Sequence, residues 1–158
     1  MTPAIRVAKA AGFEITLHRY KHRAGADSYG GEAAAVLGLP PAQVLKTLIA
    51  EIEGGGLAVA IVPVDKRLDL KLLASALGAK RARMAQPRIA ERASGYVIGG
   101  ISPLGQRRRL PTVIDASVRQ FPEIYVSGGR RGLDIGLAPG DLARACDAHF
   151  APLVRAGT

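Results

Sequence analysis

Apolar positions along this chain recur with two periods, and the switches between them mark the elements. Ala4, Val7, Ala8 and Ala11 follow helical spacing behind Thr2 and Pro3, a hydroxyl able to cap and a proline suited to the first helical position, and Gly12 ends the run. From Phe13 to His18 the period falls to two, with Phe13, Ile15 and Leu17 opposed to Glu14, Thr16 and His18. This predicts a half-buried strand whose polar parity continues to Tyr20 and His22. After a loop over 23–27, Glu32 to Leu37 predicts a short helix closed by Gly38, and Pro40 and Pro41 keep it from continuing. Leu45 to Ile52 reads as a strand with Lys46, Leu48, Ala50 and Ile52 on one face and Leu45, Thr47, Ile49 and Glu51 on the other. Gly54 to Gly56 is a turn, and Leu57 to Val62 is a continuous apolar run expected to be a buried strand, ended by Pro63.

In the second half, Asp69 can cap a helix carrying Leu70, Leu73, Ala74 and Leu77, with Gly78 as its stop. Lys80 to Arg92 is basic, carrying Lys80, Arg81, Arg83, Arg88 and Arg92, and Pro87 opens a helix within it. Strands are expected at Pro111 to Asp115 and Ile124 to Ser127, followed by a loop from Gly128 to Gly132. Leu133, Ile135 and Leu137 then face the core, leaving Asp134 on the opposite parity beside Gly136 and Ala138. Pro139 and Asp141 open a last helix whose apolar face holds Leu142, Ala145 and Cys146, so Cys146 reads as a small buried hydrophobe. Helices and strands are interleaved, which is an α/β composition.

With 158 residues and 48% hydrophobic content, one domain over 1–158 can bury a sizeable core. The formal charge of +9 attracts polyanions, nucleic acid first, although a merely soluble basic protein carries the same signature. One cysteine excludes an internal disulfide framework and fits a reducing compartment. No segment resembles a signal peptide and none approaches the roughly 20 apolar residues that span a bilayer, so the expected location is cytoplasmic, away from membranes.

Candidate chemistry concentrates between Gly95 and Pro139. Gly99, Gly100, Ile101 and Ser102, closed by Pro103, form a loop able to aim several backbone N–H groups one way, which suits a phosphate or the transient oxyanion of acyl transfer. A tight turn between strands has the same composition. Lys46 begins the more apolar face of its strand, where an ammonium must find a partner, lose its charge or snorkel to water. Asp134, with small neighbours, suits either ligand contact or ordinary exposure. His18, Tyr20 and His22 share one strand face, yet no third ligand lies at a metal-binding spacing, and neither metal nor cofactor is expected. The clusters Arg107, Arg108, Arg109 and Arg130, Arg131 suit phosphates. There is no G-x-S-x-G elbow, H-E-x-x-H helix, Walker loop or cysteine pair. An enzyme made from this chain would rely on a cation, backbone donors and positioning. That is enough for an already activated ester, where one oxyanion donor contributes roughly 3 to 4 kcal/mol.

Several stretches occur together and in order: H-R-Y-K-H at 18–22, S-Y-G-G-E-A-A at 28–34, L-G-L at 37–39, V-L-K-T-L at 44–48, G-Y-V-I-G-G-I-S-P-L-G at 95–105, L-P-T-V-I-D at 110–115 and S-G-G-R-R-G-L-D-I-G-L-A-P at 127–139. In combination they resemble the YbaK/EbsC family of aminoacyl-tRNA deacylases, related to the editing domain of bacterial prolyl-tRNA synthetases. The resemblance implies a mixed, largely antiparallel, barrel-like sheet surrounded by short helices. It also implies trans-editing hydrolysis of the ester on a mischarged tRNA, foremost Cys-tRNA(Pro), with the substrate's own thiol attacking the ester carbonyl. Another amino acid, as in Ala-tRNA(Pro), is the alternative within the class, and a non-catalytic tRNA-binding adaptor the alternative outside it. By the same resemblance Lys46 matches the essential lysine, and Gly99, Gly100 and Ile101 belong to the catalytic loop. Tyr20, His22, Ser102, Pro103, Ser127 and Asp134 are expected at the substrate, and Arg107, Arg108, Arg109, Arg130 and Arg131 at the tRNA. The implied partners are tRNA(Pro) and prolyl-tRNA synthetase. The oligomeric state, monomer or weak dimer, stays open.

Overall fold

The computed structural model describes residues 1–21 and 29–155. His22 and the loop expected over 23–27 lie outside the described residues. Among the described residues the α-helices are α1 (Pro3–Ala10), α2 (Tyr29–Leu37), α3 (Leu70–Ala76), α4 (Pro87–Ser94) and α5 (Pro139–Cys146). The strands are β1 (Thr16–Arg19), β2 (Leu45–Ile52), β3 (Leu57–Pro63), β4 (Ala82–Met84), β5 (Thr112–Asp115), β6 (Ile124–Arg130), β7 (Leu133–Leu137) and β8 (His149–Ala151).

The helix ends follow the sequence signals. The Thr2 hydroxyl accepts the Ile5 N–H at the start of α1, and one Asp69 oxygen accepts the N–H groups of Lys71 and Leu72 at the start of α3, satisfying donors the helix itself cannot. Gly95 takes the left-handed conformation that terminates α4.

The strands form two sheets. One has the order β1-β7-β6 and is antiparallel throughout; the other has the order β4-β2-β3-β5-β8, antiparallel over its first three strands and parallel over the rest. The mixed, largely antiparallel character agrees with expectation, but the sheet does not close into a barrel. Among the described residues a single parallel bridge, Val44 to Tyr125, joins the two sheets. On one edge β2 pairs along its length with β3, whereas β4 covers the other edge only from Ala50 to Ile52. The edge of Leu45 to Leu48 is therefore left open toward the smaller sheet.

Three local differences from the sequence reading have physical causes. Phe13 to Ile15 are not strand: the β1–β7 register would set Glu14 and Phe13 against Ala138 and Pro139, beyond the end of β7 at Leu137, and proline has no N–H to donate. The expected loop over Gly128 to Gly132 is mostly strand. β6 continues to Arg130 across a bulge between Ser127 and Arg130, with Gly129 at a φ of 103° that glycine tolerates freely. β4 and β8 are three residues each and owe their existence to their neighbours, β4 to a cross-strand pairing of Arg83 with Glu51 at 2.7 Å and β8 to β5.

The main core lies between the sheets and includes Ile49, Ile61, Ile114, Ile124, Ile135 and Leu142. A second cluster, with Ala60, Val62, Leu73 and Val113, fills the opposite face of the larger sheet under α3. β3 is thus covered on both faces, which is why its sequence is uninterrupted apolar. Among the described residues no helix is long and apolar enough to cross a membrane.

Candidate active site

The glycine-rich loop after α4 is tied down at nearly every residue. Gly100 N–H donates to the Val97 carbonyl at 2.8 Å, closing a tight turn, with Gly99 at a φ of 89°. A Cβ on Gly100 would stand 2.8 Å from the Arg130 Cα, so the β6–β7 turn packs against bare backbone there. The Ile98 N–H donates to a Glu91 carboxylate oxygen at 2.8 Å, and the Ile98 carbonyl accepts Nε and Nη2 of Arg131 at 3.0 and 2.7 Å. Behind the loop, buried Tyr96 donates its hydroxyl to the Leu104 carbonyl at 2.6 Å, and burial pushes that phenol up to about 12.

This loop, the open edge of β2 and the smaller sheet enclose a cavity of about 240 Å³. β2 contributes Leu45, Lys46, Thr47 and Leu48; the loop contributes Ile98, Gly99 and Ile101; β6 and β7 contribute Ser127 and Asp134, and Tyr20 comes from the end of β1. Cross-strand register explains the last group. Ser127 lies opposite Asp134, and Asp134 lies opposite His18, two residues before Tyr20. The Tyr20 N–H donates to the Gly132 carbonyl at 2.9 Å, extending that pairing past the strand.

The cavity holds desolvated polar groups that do not neutralise one another. Asp134 is 6% exposed, and burial pushes its carboxyl up to about 7. Burial lowers the Lys46 ammonium from the usual lysine value, with Asp65 opposing and Arg67 adding to the effect. Tyr20 is raised, first by burial and then by the nearby Asp134 charge. Among the described residues Lys46 has no hydrogen-bond or ion-pair partner, the N–H groups of Gly99 and Ile101 have no acceptor, and the Thr47 hydroxyl is buried without a partner. Of the two side-chain groups only the Thr47 hydroxyl is buried outright, but four donors without partners around one half-open cavity mark a place suited to a ligand. In a second groove the charges pair with one another. A broader groove of about 840 Å³ at the β2–β3 hairpin is lined by Glu51, Glu53, Arg81 and Arg83, which pair as Arg83–Glu51 and Arg81–Glu53.

The structure thus gathers Lys46, Tyr20, Ser127, Asp134, Gly99 and Ile101, and of the two sequence readings of Asp134 it excludes ordinary exposure. Gly100, Ser102 and Pro103, the latter two expected at the substrate, shape the loop without lining the cavity. Ser102 is fully buried with its hydroxyl accepting the Leu104 N–H, and the Pro103 carbonyl accepts the Cys146 thiol at 3.3 Å. That thiol is pushed up to about 12 by burial, which leaves it protonated and unreactive at neutral pH. Arg107, Arg108, Arg109 and Arg130 are exposed outside the cavity; Arg131 is exposed too, but turns its guanidinium back onto Ile98. Sequence reasoning missed Thr47, because strand parity put it on the face away from Lys46. The cavity opens at the edge of β2, where both parities reach it. Among the described residues no group of three or more His, Cys, Asp or Glu could hold a metal ion.

Comparison with known proteins gives the family. The profile of the aminoacyl-tRNA editing domain matches residues 24–145. An Enterococcus faecalis protein, EbsC, named as a candidate Cys-tRNA(Pro)/Cys-tRNA(Cys) deacylase, is 33% identical over 141 residues, covering 89% of this chain and 86% of that one. The Escherichia coli protein ProXp-y, named as a multifunctional Ser/Thr-tRNA deacylase, is 31% identical over 106 residues, 65% of this chain and 64% of its own. A crystal structure described as a candidate trans-editing enzyme for prolyl-tRNA synthetase superposes with a TM-score of 0.79 at 25% identity, covering 98% of this chain and 99% of that one. The chain belongs to the aminoacyl-tRNA editing domain family.

Proposed function

We propose that this protein is an aminoacyl-tRNA deacylase that acts in trans on mischarged tRNA, with Cys-tRNA(Pro) as its foremost substrate. The observation that carries the reading is the convergence of an unpaired ammonium at Lys46, unpaired amides at Gly99 and Ile101 and a buried carboxylate at Asp134 on one cavity. An aminoacyl ester offers a matching set of groups: an α-ammonium, a carbonyl oxygen that gains charge in the transition state, and a ribose and phosphate. In this pose Asp134 takes the α-ammonium, the Gly99 and Ile101 N–H groups take the developing oxyanion, and Lys46 holds the ribose or phosphate side. Tyr20 and Ser127 border the amino acid.

No side chain in the cavity has the setting of an activated nucleophile. The Ser127 hydroxyl accepts the Gly129 N–H at 3.2 Å and, among the described residues, donates to no base. The attacking group is then water or the substrate itself. With cysteine, the thiol sulfur bonds to the ester carbonyl carbon as its proton passes to the departing ribose oxygen, leaving a cyclic thioester that water opens to free cysteine.

EbsC favours cysteine as the removed amino acid, whereas similarity to ProXp-y favours serine or threonine. A panel of Cys-, Ser-, Thr- and Ala-tRNA(Pro), run with wild type and Lys46→Ala in parallel, decides between them. Preferred turnover of Cys-tRNA(Pro) supports the thiol route. Equal turnover of Ala-tRNA(Pro) rules that route out, and tRNA binding without hydrolysis of any member replaces the enzyme with an adaptor. The crystal structure described as a prolyl-tRNA synthetase trans-editing enzyme supports a functional link to that synthetase.

A further inference from the structure

Arg131 was expected, with its neighbour Arg130, at the tRNA backbone, yet both of its nitrogens Nε and Nη2 are directed to one carbonyl, that of Ile98, at 3.0 and 2.7 Å. This carbonyl belongs to the peptide unit that carries the Gly99 N–H. Among the described residues every peptide bond is trans, and across a trans peptide the C=O and N–H point in opposite directions. Arg131 is exposed and does not line the cavity, while Gly99 does. A carbonyl held toward Arg131 therefore turns the Gly99 N–H away from the exposed guanidinium, and that N–H, on a residue that borders the cavity, has no acceptor among the described residues.

Two further contacts keep the peptide from rotating. On its N-terminal side the Ile98 N–H is held by the Glu91 carboxylate at 2.8 Å. On its C-terminal side Gly100 lies against the backbone of Arg130 and Arg131, with room for no Cβ. A charged donor on the carbonyl also polarises the peptide, making its N–H a stronger donor.

We propose that Arg131 is a positioning residue that orients and polarises the Ile98–Gly99 peptide, so that the Gly99 N–H serves as the oxyanion donor. The proposal rests on the deacylase reading above and adds how the donor is set. It separates Arg131 from Arg130: the first acts on the rate of the chemical step, the second on RNA affinity.

The test compares wild type, Arg131→Ala and Arg131→Lys, with Lys46→Ala as a reference, by single-turnover deacylation of the best substrate of the panel and by the amide ¹H–¹⁵N spectrum of the free protein. Arg131→Ala should lower the single-turnover rate roughly 100-fold, the effect expected of a displaced catalytic group, with KM and the salt dependence of tRNA binding unchanged. Arg131→Lys, which can supply one charged donor, should recover part of the rate, as should guanidinium ion added to Arg131→Ala below denaturing concentrations. In the spectrum the Gly99 amide proton should move upfield in Arg131→Ala and stay in place in Lys46→Ala. A raised KM and a flattened salt slope with an unchanged rate would overturn the proposal and return Arg131 to the tRNA surface. So would a Gly99 resonance that does not move. The spectrum needs no turnover, so a wild type that hydrolyses nothing sinks the deacylase reading while the amide shift still judges the peptide's orientation.

Discussion

Lys46 and Asp134 face the same cavity from different sheets, and no ion pair joins them. Burial weakens the charged form of each, lowering the lysine and raising the aspartate to about 7, and neither side chain relieves the other. Two opposite charges kept apart at a desolvation cost are poor for stability and well placed for a ligand that carries both signs, as an aminoacyl-tRNA end does.

Removing the ammonium should therefore hurt turnover and spare the fold. Lys46→Ala loses a charge-assisted contact, which is worth about 10- to 100-fold in kcat/KM. Its melting temperature should equal or exceed that of wild type, because a half-buried cation without a partner has gone. A parallel loss of melting temperature and activity in calorimetry and deacylation assays would count against a ligand-holding role.

Asp134 makes stability depend on pH in an unusual direction. Its carboxyl is raised from an ordinary 3.8 to about 7 in the folded protein. Between those values the unfolded chain has lost a proton that the folded one keeps, so stability falls as pH rises through this window and levels off above 7, by up to about 4 kcal/mol. Asp134→Asn should flatten that profile and raise the melting temperature at pH 8 while lowering activity. If the ionised carboxylate holds the α-ammonium, wild-type kcat/KM should climb through pH 7. The kcat profile should shift to lower pH, because bound cationic substrate favours the ionised form.

Arg107, Arg108 and Arg109 are exposed on the loop that leads from the cavity into β5, a surface with no charge pairing of its own among the described residues. Each arginine that touches a phosphate should contribute about 0.7 to 0.9 to the slope of log affinity against log salt. The triple alanine variant should bind tRNA more weakly and with a shallower slope, measured by filter binding from low to moderate salt. A slope equal to that of wild type would place the RNA elsewhere.

Much of this arrangement was legible before any coordinates, and the rest was hidden for identifiable reasons. α1, α3 and α4 announce themselves through Thr2 with Pro3, Asp69 and Pro87, since capping is a local matter. β2 and β3 do so through their apolar runs. β4 and β8 could not be read, because a three-residue strand exists only where a neighbour offers an edge, and Arg83 reveals nothing of Glu51 some thirty positions away. The segment from Gly128 to Arg130 looks like a loop by composition and becomes strand because β7 pairs with it across a bulge. Lys46, Gly99 and Asp134 could be singled out by residue type and by family resemblance. Their meeting in one cavity could not, since it depends on two sheets failing to close beside Leu45 to Leu48. The same non-local fact explains why strand parity, though correct, does not mark Thr47 as a cavity residue.

Gly100 offers the sharpest separation of loop geometry from fold stability. Its φ is not in the left-handed region, so alanine is conformationally acceptable there, unlike at Gly99 with a φ of 89°. The obstacle is contact: a methyl group would stand 2.8 Å from the Arg130 Cα and 2.9 Å from its carbonyl carbon, both backbone atoms that cannot swing aside. Gly100→Ala must push the loop off the β6–β7 turn, at a cost of about 1 to 3 kcal/mol seen as a drop of a few degrees in melting temperature. The same displacement carries the neighbouring Gly99 N–H out of line with the ester carbonyl. Single-turnover deacylation should consequently fall roughly 100-fold while tRNA affinity is kept. A folded Gly100→Ala protein with a wild-type rate would show that the amides of this loop do not meet the reacting oxygen.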